Sequence, residues 1–410
     1  MGSREMLGKS VGPAILGGTP AFPEGLQLAV PSVPAAKSVL GDIEGILESG
    51  VLTNGPYVRE LEGRAADYLG VRHCIAVASC TSGLMLVLRA SELYGDVVVP
   101  SFTFAATAHA VVWNGLRPVF SDIDSASLTL SAGSVLRTTG VRTSAILATH
   151  TYGTPCDVEG LADAARREGV RLFFDAAHAF GSRRGGTPIG GFGDAEVFSL
   201  SPTKVLVACE GGIIATNDDL LAERCRIGRD YGNPGDYDCQ FVGLNARMSE
   251  VHAVIALRSL DDLDERIQQR NELADQYRRL LGDIPGITFP FVRDEDRSTY
   301  KDFTILVDPV EFGVDASELG LALAAEGIET RRYYAPPVHA MRAYRFLAGG
   351  KGASRLPVTE TVSSRVLSLP IWSSMTELQV NRVAEVLGRI QQSSARRIVH
   401  LPGNAPARRT

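Results

Sequence analysis

The chain lacks any pair of cysteines at metal-ligand or redox spacing. Its six cysteines (Cys74, Cys80, Cys156, Cys209, Cys225 and Cys239) are scattered, with no C-x-x-C and no histidine at ligand spacing. That excludes the common zinc sites and a disulfide scaffold, and it reads as reduced, intracellular thiols. No apolar run approaches the roughly 18 residues needed to span a bilayer. The N-terminus has no apolar stretch followed by a cleavage site. Met1-Gly2-Ser3 is followed by Met6 where myristoylation expects Ser or Thr. A cytoplasmic protein is expected, with no membrane partner. An excess of positive charge is missing too. Lys and Arg number 41 against 47 Asp and Glu, a net charge of -6, so no long-range field attracts a phosphate backbone and nucleic acid is not an expected partner. Any anionic substrate must be held by local groups.

What is present is the balance of a soluble globular protein, with 45% hydrophobic and 21% charged residues. A chain of 410 residues exceeds one ordinary core and suits a large domain plus a smaller one. Residues 1–35 are rich in Gly and Pro without a clear period and read as an arm. A helix pattern over 37–49 is broken by Leu52-Thr53-Asn54-Gly55-Pro56. From about 57 to 220, short apolar runs alternate with helical stretches. Strands are expected at 74–78, 97–99, 118–121, 145–149, 171–174, 195–199 and 212–216, and helices at 83–90, 105–113 and 158–167. Such alternation predicts an α/β fold with a largely parallel sheet covered on both faces, binding ligands at the carboxyl ends of its strands. A long charged helix over 248–281 is expected to link a large domain (36–260) to a small α+β domain (261–392). That second domain is expected to hold strands at 303–307 and 329–333 and helices near 317–326 and 377–392. The basic, polar residues 393–410 are expected to be a disordered tail.

Three segments carry chemistry. In Val197-Phe-Ser-Leu-Ser-Pro-Thr-Lys204-Val-Leu-Val-Ala-Cys-Glu-Gly-Gly212 a lysine sits just past a strand end. Shielding from bulk water there depresses its pKa and favours a Schiff base, although most loop lysines are simply solvated. In Arg171-Leu-Phe-Phe-Asp175-Ala-Ala-His178 an aspartate ends an apolar strand, where a carboxylate is costly unless it meets a cation. An ordinary helix N-cap is the competing reading for Asp175, and a packed polar residue the competing one for His178. In Ala78-Ser79-Cys80-Thr81-Ser82-Gly83, small residues let backbone N–H groups at a helix start approach an anion, with hydroxyl donors from Thr81 and Ser82.

In this order the segments resemble the sugar-nucleotide aminotransferases of the DegT family, fold-type I pyridoxal-phosphate enzymes. The resemblance runs from Gly17-Gly18-Thr19-Pro20 to about Gln392. It includes Pro100-Ser-Phe-Thr-Phe104, Gly243-Leu-Asn245-Ala-Arg247, Tyr300-Lys-Asp-Phe303, Arg331-Arg-Tyr-Tyr-Ala-Pro-Pro-Val-His339 and Leu367-Ser-Leu-Pro-Ile-Trp372. It implies that Lys204 forms the Schiff base and then shuttles the proton, that Asp175 pairs with the pyridinium nitrogen, and that Phe104 stacks on the ring. It also implies that Cys80, Thr81 and Ser199 hold the phosphate. Asn245, assisted by Arg247, would reach the phosphate of a neighbouring subunit, which makes the enzyme at least a homodimer. His178 falls where the family often has glutamine against the phenolic oxygen of the cofactor, and Cys80 replaces a usual glycine. Arg331, Arg332 and Tyr333 are candidates for the substrate's diphosphate, an exposed basic strand edge being the competing reading.

The dehydratase branch of that family has a histidine in place of the lysine and cysteines on an iron–sulfur cluster. Lys204 and the dispersed cysteines point away from it, and an intact Asp175–Lys204 pair points away from a non-catalytic relative. No metal is expected. The lysine loop and the Lys301-Asp302-Phe303 stretch resemble enzymes acting at C4 of thymidine-diphospho-4-keto-6-deoxyhexoses, in deoxysugar pathways for natural products, with L-glutamate as donor. Transfer at C3 of a 3-keto sugar and an inosose aminotransferase are the second and third readings.

Overall fold

The computed structural model describes residues 12–345 and 355–394; the expected tail lies outside the described residues from 395 onward. Seven strands form the main sheet, β1 (His73–Val77), β2 (Asp96–Pro100), β3 (Arg117–Ser121), β4 (Thr143–Thr149), β5 (Arg171–Asp175), β8 (Ala195–Ser199) and β9 (Gly212–Thr216). Their order is β1-β9-β8-β5-β4-β2-β3. The pairs from β8 across to β3 are parallel, and β9 runs antiparallel to both of its neighbours. A hairpin of β6 (Arg183–Arg184) and β7 (Thr187–Pro188) lies apart.

Strands β2, β8 and β9 are buried along their whole length, as a sheet covered on both faces requires, and their Val and Ile content suits that position. The crossover helices start and stop where local chemistry dictates. Ser79 caps Cys80–Ala90 through a reciprocal capping box with Ser82. Asp157 caps Val158–Glu168, which ends at Gly169 in the left-handed conformation. Apolar clusters fill the space on both sides of the sheet.

A separate core surrounds the second, antiparallel sheet of β10 (Ile287–Thr288), β11 (Phe303–Val307) and β12 (Val366–Leu369), in that order. The N-terminal arm packs here. Ala21 and Leu26 enter this core, and Glu326 accepts the amides of Ala14 and Ala21 at 2.8 Å each.

Two expectations need correction. The helix foreseen over 248–281 is two helices, Glu250–Asp261 and Leu263–Leu281, jointed at Asp262. Its first half packs on the main sheet through Ala253, Ala256 and Leu257, and its last turns pack on the second core through Leu273, Tyr277 and Leu281. The second helix bridges the two cores by itself, with Leu263 and Ile267 in the first and Leu273, Tyr277 and Leu281 in the second. The strand foreseen at 329–333 is not one. Arg331 makes a single bridge to Ser368 of β12, and Pro336 and Pro337 follow and end the pairing.

Candidate active site

The carboxyl ends of β5 and β8, the start of the helix Cys80–Ala90 and the loop after β8 converge on one cavity of about 290 Å³. Of the residues singled out by sequence, Lys204, Asp175, His178, Ser199, Cys80, Thr81, Phe104 and Tyr333 line it. Lys204 sits in a turn, its amide donating to the Ser201 carbonyl at 3.0 Å, and the next four residues, Val205 to Ala208, anchor that turn in the core. The surrounding protein strips water from the ammonium and Lys301 adds like charge, which together bring the Lys204 pKa down to about 8 against the pull of nearby carboxylates.

Asp175 is 3% exposed. Its Oδ2 accepts the Thr107 hydroxyl at 2.7 Å and its Oδ1 the Ala177 amide at 3.1 Å. Burial raises its pKa, opposed by those two hydrogen bonds and by Lys204. No cation touches it; the Cys80 thiol lies 4.0 Å from Oδ1, a neutral neighbour because burial lifts its own pKa well up. An ionised carboxylate so placed calls for a cationic partner from a ligand.

At the other end of the cavity, the helix start and the hydroxyls of Thr81, Ser199, Ser201 and Thr203 form an anion cradle. Ser82 is not part of it, because its hydroxyl closes the capping box. Gly212 makes the cradle possible: a Cβ there would stand 2.7 Å from the Cys80 nitrogen. Phe104 is 62% exposed at the rim.

Four expected contributors stand outside this cavity. Asn245 is exposed, in a loop bridged to Asp230, and Arg247 pairs with Asp230 while its guanidinium lies 5.2 Å over the Tyr231 ring. Arg331 is exposed and paired with Glu329 at 2.7 Å. Arg332 donates to the carbonyls of Ser363 and Ser364 at 3.0 and 2.9 Å, which ties its charge to the end of the helix Pro357–Arg365. In this chain, therefore, Tyr333 reaches the cavity without its two arginines.

Sequence reasoning assigned no role to Lys301, Asp302, Tyr334 or Thr107. Lys301 and Asp302 are buried, form an ion pair at 2.6 Å and line the cavity opposite Lys204. The signal available for Thr107 was a hydroxyl on a mostly apolar helix, three residues past Phe104. For Lys301 and Asp302 it was two adjacent charges at the mouth of an apolar strand.

A phosphate-sized cradle, a lysine of lowered pKa and a buried carboxylate without a cation, all in one cavity, fit pyridoxal phosphate and define a pyridoxal-phosphate-dependent aminotransferase of the α/β class. The sequence profile of the DegT/DnrJ/EryC1/StrS aminotransferase family matches residues 35–388, and the chain belongs to that family. It is 32% identical over 88% of its length, and 98% of the relative's, to dTDP-4-amino-4,6-dideoxy-D-glucose transaminase of Escherichia coli. It is 34% identical over 87% of its length, and 94% of the relative's, to UDP-N-acetyl-3-dehydro-alpha-D-glucosamine 3-aminotransferase of Acidithiobacillus ferrooxidans. The crystal structure of DesI in the presence of its TDP-sugar product superposes with a TM-score of 0.87 at 37% identity, covering 93% of this chain and 98% of that one. Among the described residues no cluster of three or more metal-ligating side chains occurs, and no helix is long and apolar enough to cross a membrane.

Proposed function

We propose that the enzyme transfers the amino group of L-glutamate to C4 of a thymidine-diphospho-4-keto-6-deoxyhexose, most simply the 6-deoxy-D-glucose derivative. The products are the 4-amino-4,6-dideoxy sugar nucleotide and 2-oxoglutarate. The observation that carries the chemistry is the shared cavity of Lys204 and Asp175. The C4 position is supported by likeness to the Escherichia coli transaminase, and a thymidine-diphospho sugar by likeness to DesI. Transfer at C3 is the second reading, because a 3-aminotransferase is equally similar.

Bound pyridoxal phosphate supplies the electron-poor ring that makes the carbon–hydrogen bond beside the amine acidic. The chain supplies the rest. Lys204, half neutral near pH 8, offers an unprotonated amine at Nζ that can bond to a carbonyl carbon, and later takes up and returns a proton at that atom. Asp175 would hold the ring nitrogen in its charged form. Ser199, Thr81 and the helix start would hold the phosphate, and Phe104 would cover the ring. Asn245 and Arg247 do not line their own cavity, which supports a homodimer in which Asn245 of the partner subunit completes the phosphate site. Exposed Leu52, Phe104 and Trp113 offer apolar surface for such an assembly.

The test runs the purified enzyme backwards with 4-amino and 3-amino thymidine-diphospho sugars and 2-oxoglutarate, following glutamate. Glutamate from the 4-amino compound is expected. Reaction with the 3-amino compound alone moves the assignment to C3, and reaction only with an aminocyclitol removes the sugar nucleotide.

A further inference from the structure

The cavity contains two buried polar atoms with no hydrogen-bond partner, His178 Nδ1 and Asp302 Oδ2, and they face each other at 4.0 Å. A buried polar atom left unpaired is destabilising, so two of opposite character side by side are best explained by each other. The other carboxylate oxygen, Oδ1, accepts from Lys301 Nζ at 2.6 Å, and Lys301 Nζ lies 5.5 Å over the Tyr333 ring. Below them, Arg270 is fully buried and donates to the carbonyls of Tyr300 and Lys301 at 2.9 and 3.4 Å, which fixes the backbone that carries the pair. His178 is held from the opposite side, its carbonyl accepting the Thr299 hydroxyl at 2.5 Å.

We infer that Asp302 is a positioning residue that closes onto His178 Nδ1 when the cavity is filled, and so fixes which face of the imidazole meets the cofactor. Asp302 then accepts the Nδ1 proton, which settles the tautomer and leaves Nε2, the nitrogen not enclosed by protein, as the atom presented to the cavity. A glutamine in this position offers an amide of fixed donor character. A histidine backed by a carboxylate can instead give or receive a proton at Nε2 as charge develops on an oxygen beside it. Desolvation and the nearby Lys204 and Lys301 press the imidazole toward its neutral form.

The inference rests on the reading of this cavity as the pyridoxal-phosphate site, and its test separates the two. Protein labelled with nitrogen-15 in histidine is examined by NMR before and after loading with pyridoxal phosphate, His178→Gln identifying the His178 signals. The proton is expected on Nδ1 in the loaded wild type, and to lose that preference in Asp302→Asn. A proton on Nε2 in the loaded wild type would overturn the inference, even if Asp302→Asn fails to fold, and absence of a visible absorption band on loading would overturn the cofactor reading instead. In turnover assays Asp302→Asn is expected to lower kcat about tenfold in the wild-type background and less than twofold in His178→Gln, because the aspartate acts through the histidine. Equal losses in both backgrounds would show a merely structural carboxylate.

Discussion

Lys204 and Lys301 line one cavity but reach it from different layers of the molecule and meet different company. Lys204 comes from the loop after β8 and has no carboxylate in contact, so desolvation governs it and its pKa falls to about 8. Lys301 comes from the entrance to β11 and stands against Asp302 at 2.6 Å, a pair that keeps two buried charges without exposing either. One lysine is brought toward its neutral, reactive form, while the other is held in an ion pair. The difference between them lies in the neighbours that each backbone position supplies.

The first way to break this comparison is to exchange the two roles. Lys204→Ala should abolish transamination, a loss of more than about 10³-fold, while Lys301→Arg, which keeps the charge, should remain active. A comparable loss in both, at unchanged melting temperature, would erase the distinction. A smaller effect is expected at Asp175, the carboxylate proposed to face the ring nitrogen. Asp175→Asn should retain bound cofactor, read from its absorbance, yet turn over roughly 10²–10³-fold more slowly, the scale of removing one well-placed electrostatic group.

The third prediction sharpens the electrostatic half of the comparison. Lys204 binds a carbonyl only when unprotonated, so capture of pyridoxal phosphate by the cofactor-free protein should speed up as pH rises and level off above about 8. Lys301 is one of the two effects that lower this pKa. Lys301→Met removes that effect and leaves Asp302 to favour the ammonium, so the midpoint should move up by about one unit, a tenfold slower capture at pH 7. A midpoint unchanged or lowered would show that the two lysines do not sense each other.

How much of this was readable in the sequence follows the same division. All seven strands of the main sheet and the three crossover helices fell where periodicity put them, because each is a short apolar run bounded by turn or cap chemistry. Asp175, Lys204 and the Ser79–Thr81 turn were legible for a related reason. In a parallel sheet the residue that ends a strand is also the residue that faces the ligand. The second layer did not yield to that logic. The helix joint at Asp262 carries no Gly or Pro to announce it. Lys301 and Asp302 precede β11 and line a cavity whose other walls come from residues 79–210 and from Tyr333 and Tyr334, a meeting that only tertiary packing produces. Arg331 and Arg332 looked like ligands for a diphosphate, but tertiary packing gives Arg332 two backbone carbonyls and leaves Arg331 on the surface.

That reassignment yields the smallest expected effect. Arg332→Ala should lower stability by about 1–3 kcal/mol, the scale of leaving two helix-end carbonyls unpaired, with less than a twofold change in KM for the sugar nucleotide. Arg331→Ala should leave both thermal melting and KM within experimental scatter, as a surface pair contributes little. A tenfold rise in KM for either would return that arginine to the diphosphate.

The central claim is that Lys204, not Lys301, carries the cofactor. Borohydride reduction of the loaded enzyme followed by peptide mass mapping tests it directly. The pyridoxyl mass should fall on the peptide containing Lys204, and an adduct on the peptide containing Lys301 would contradict the account.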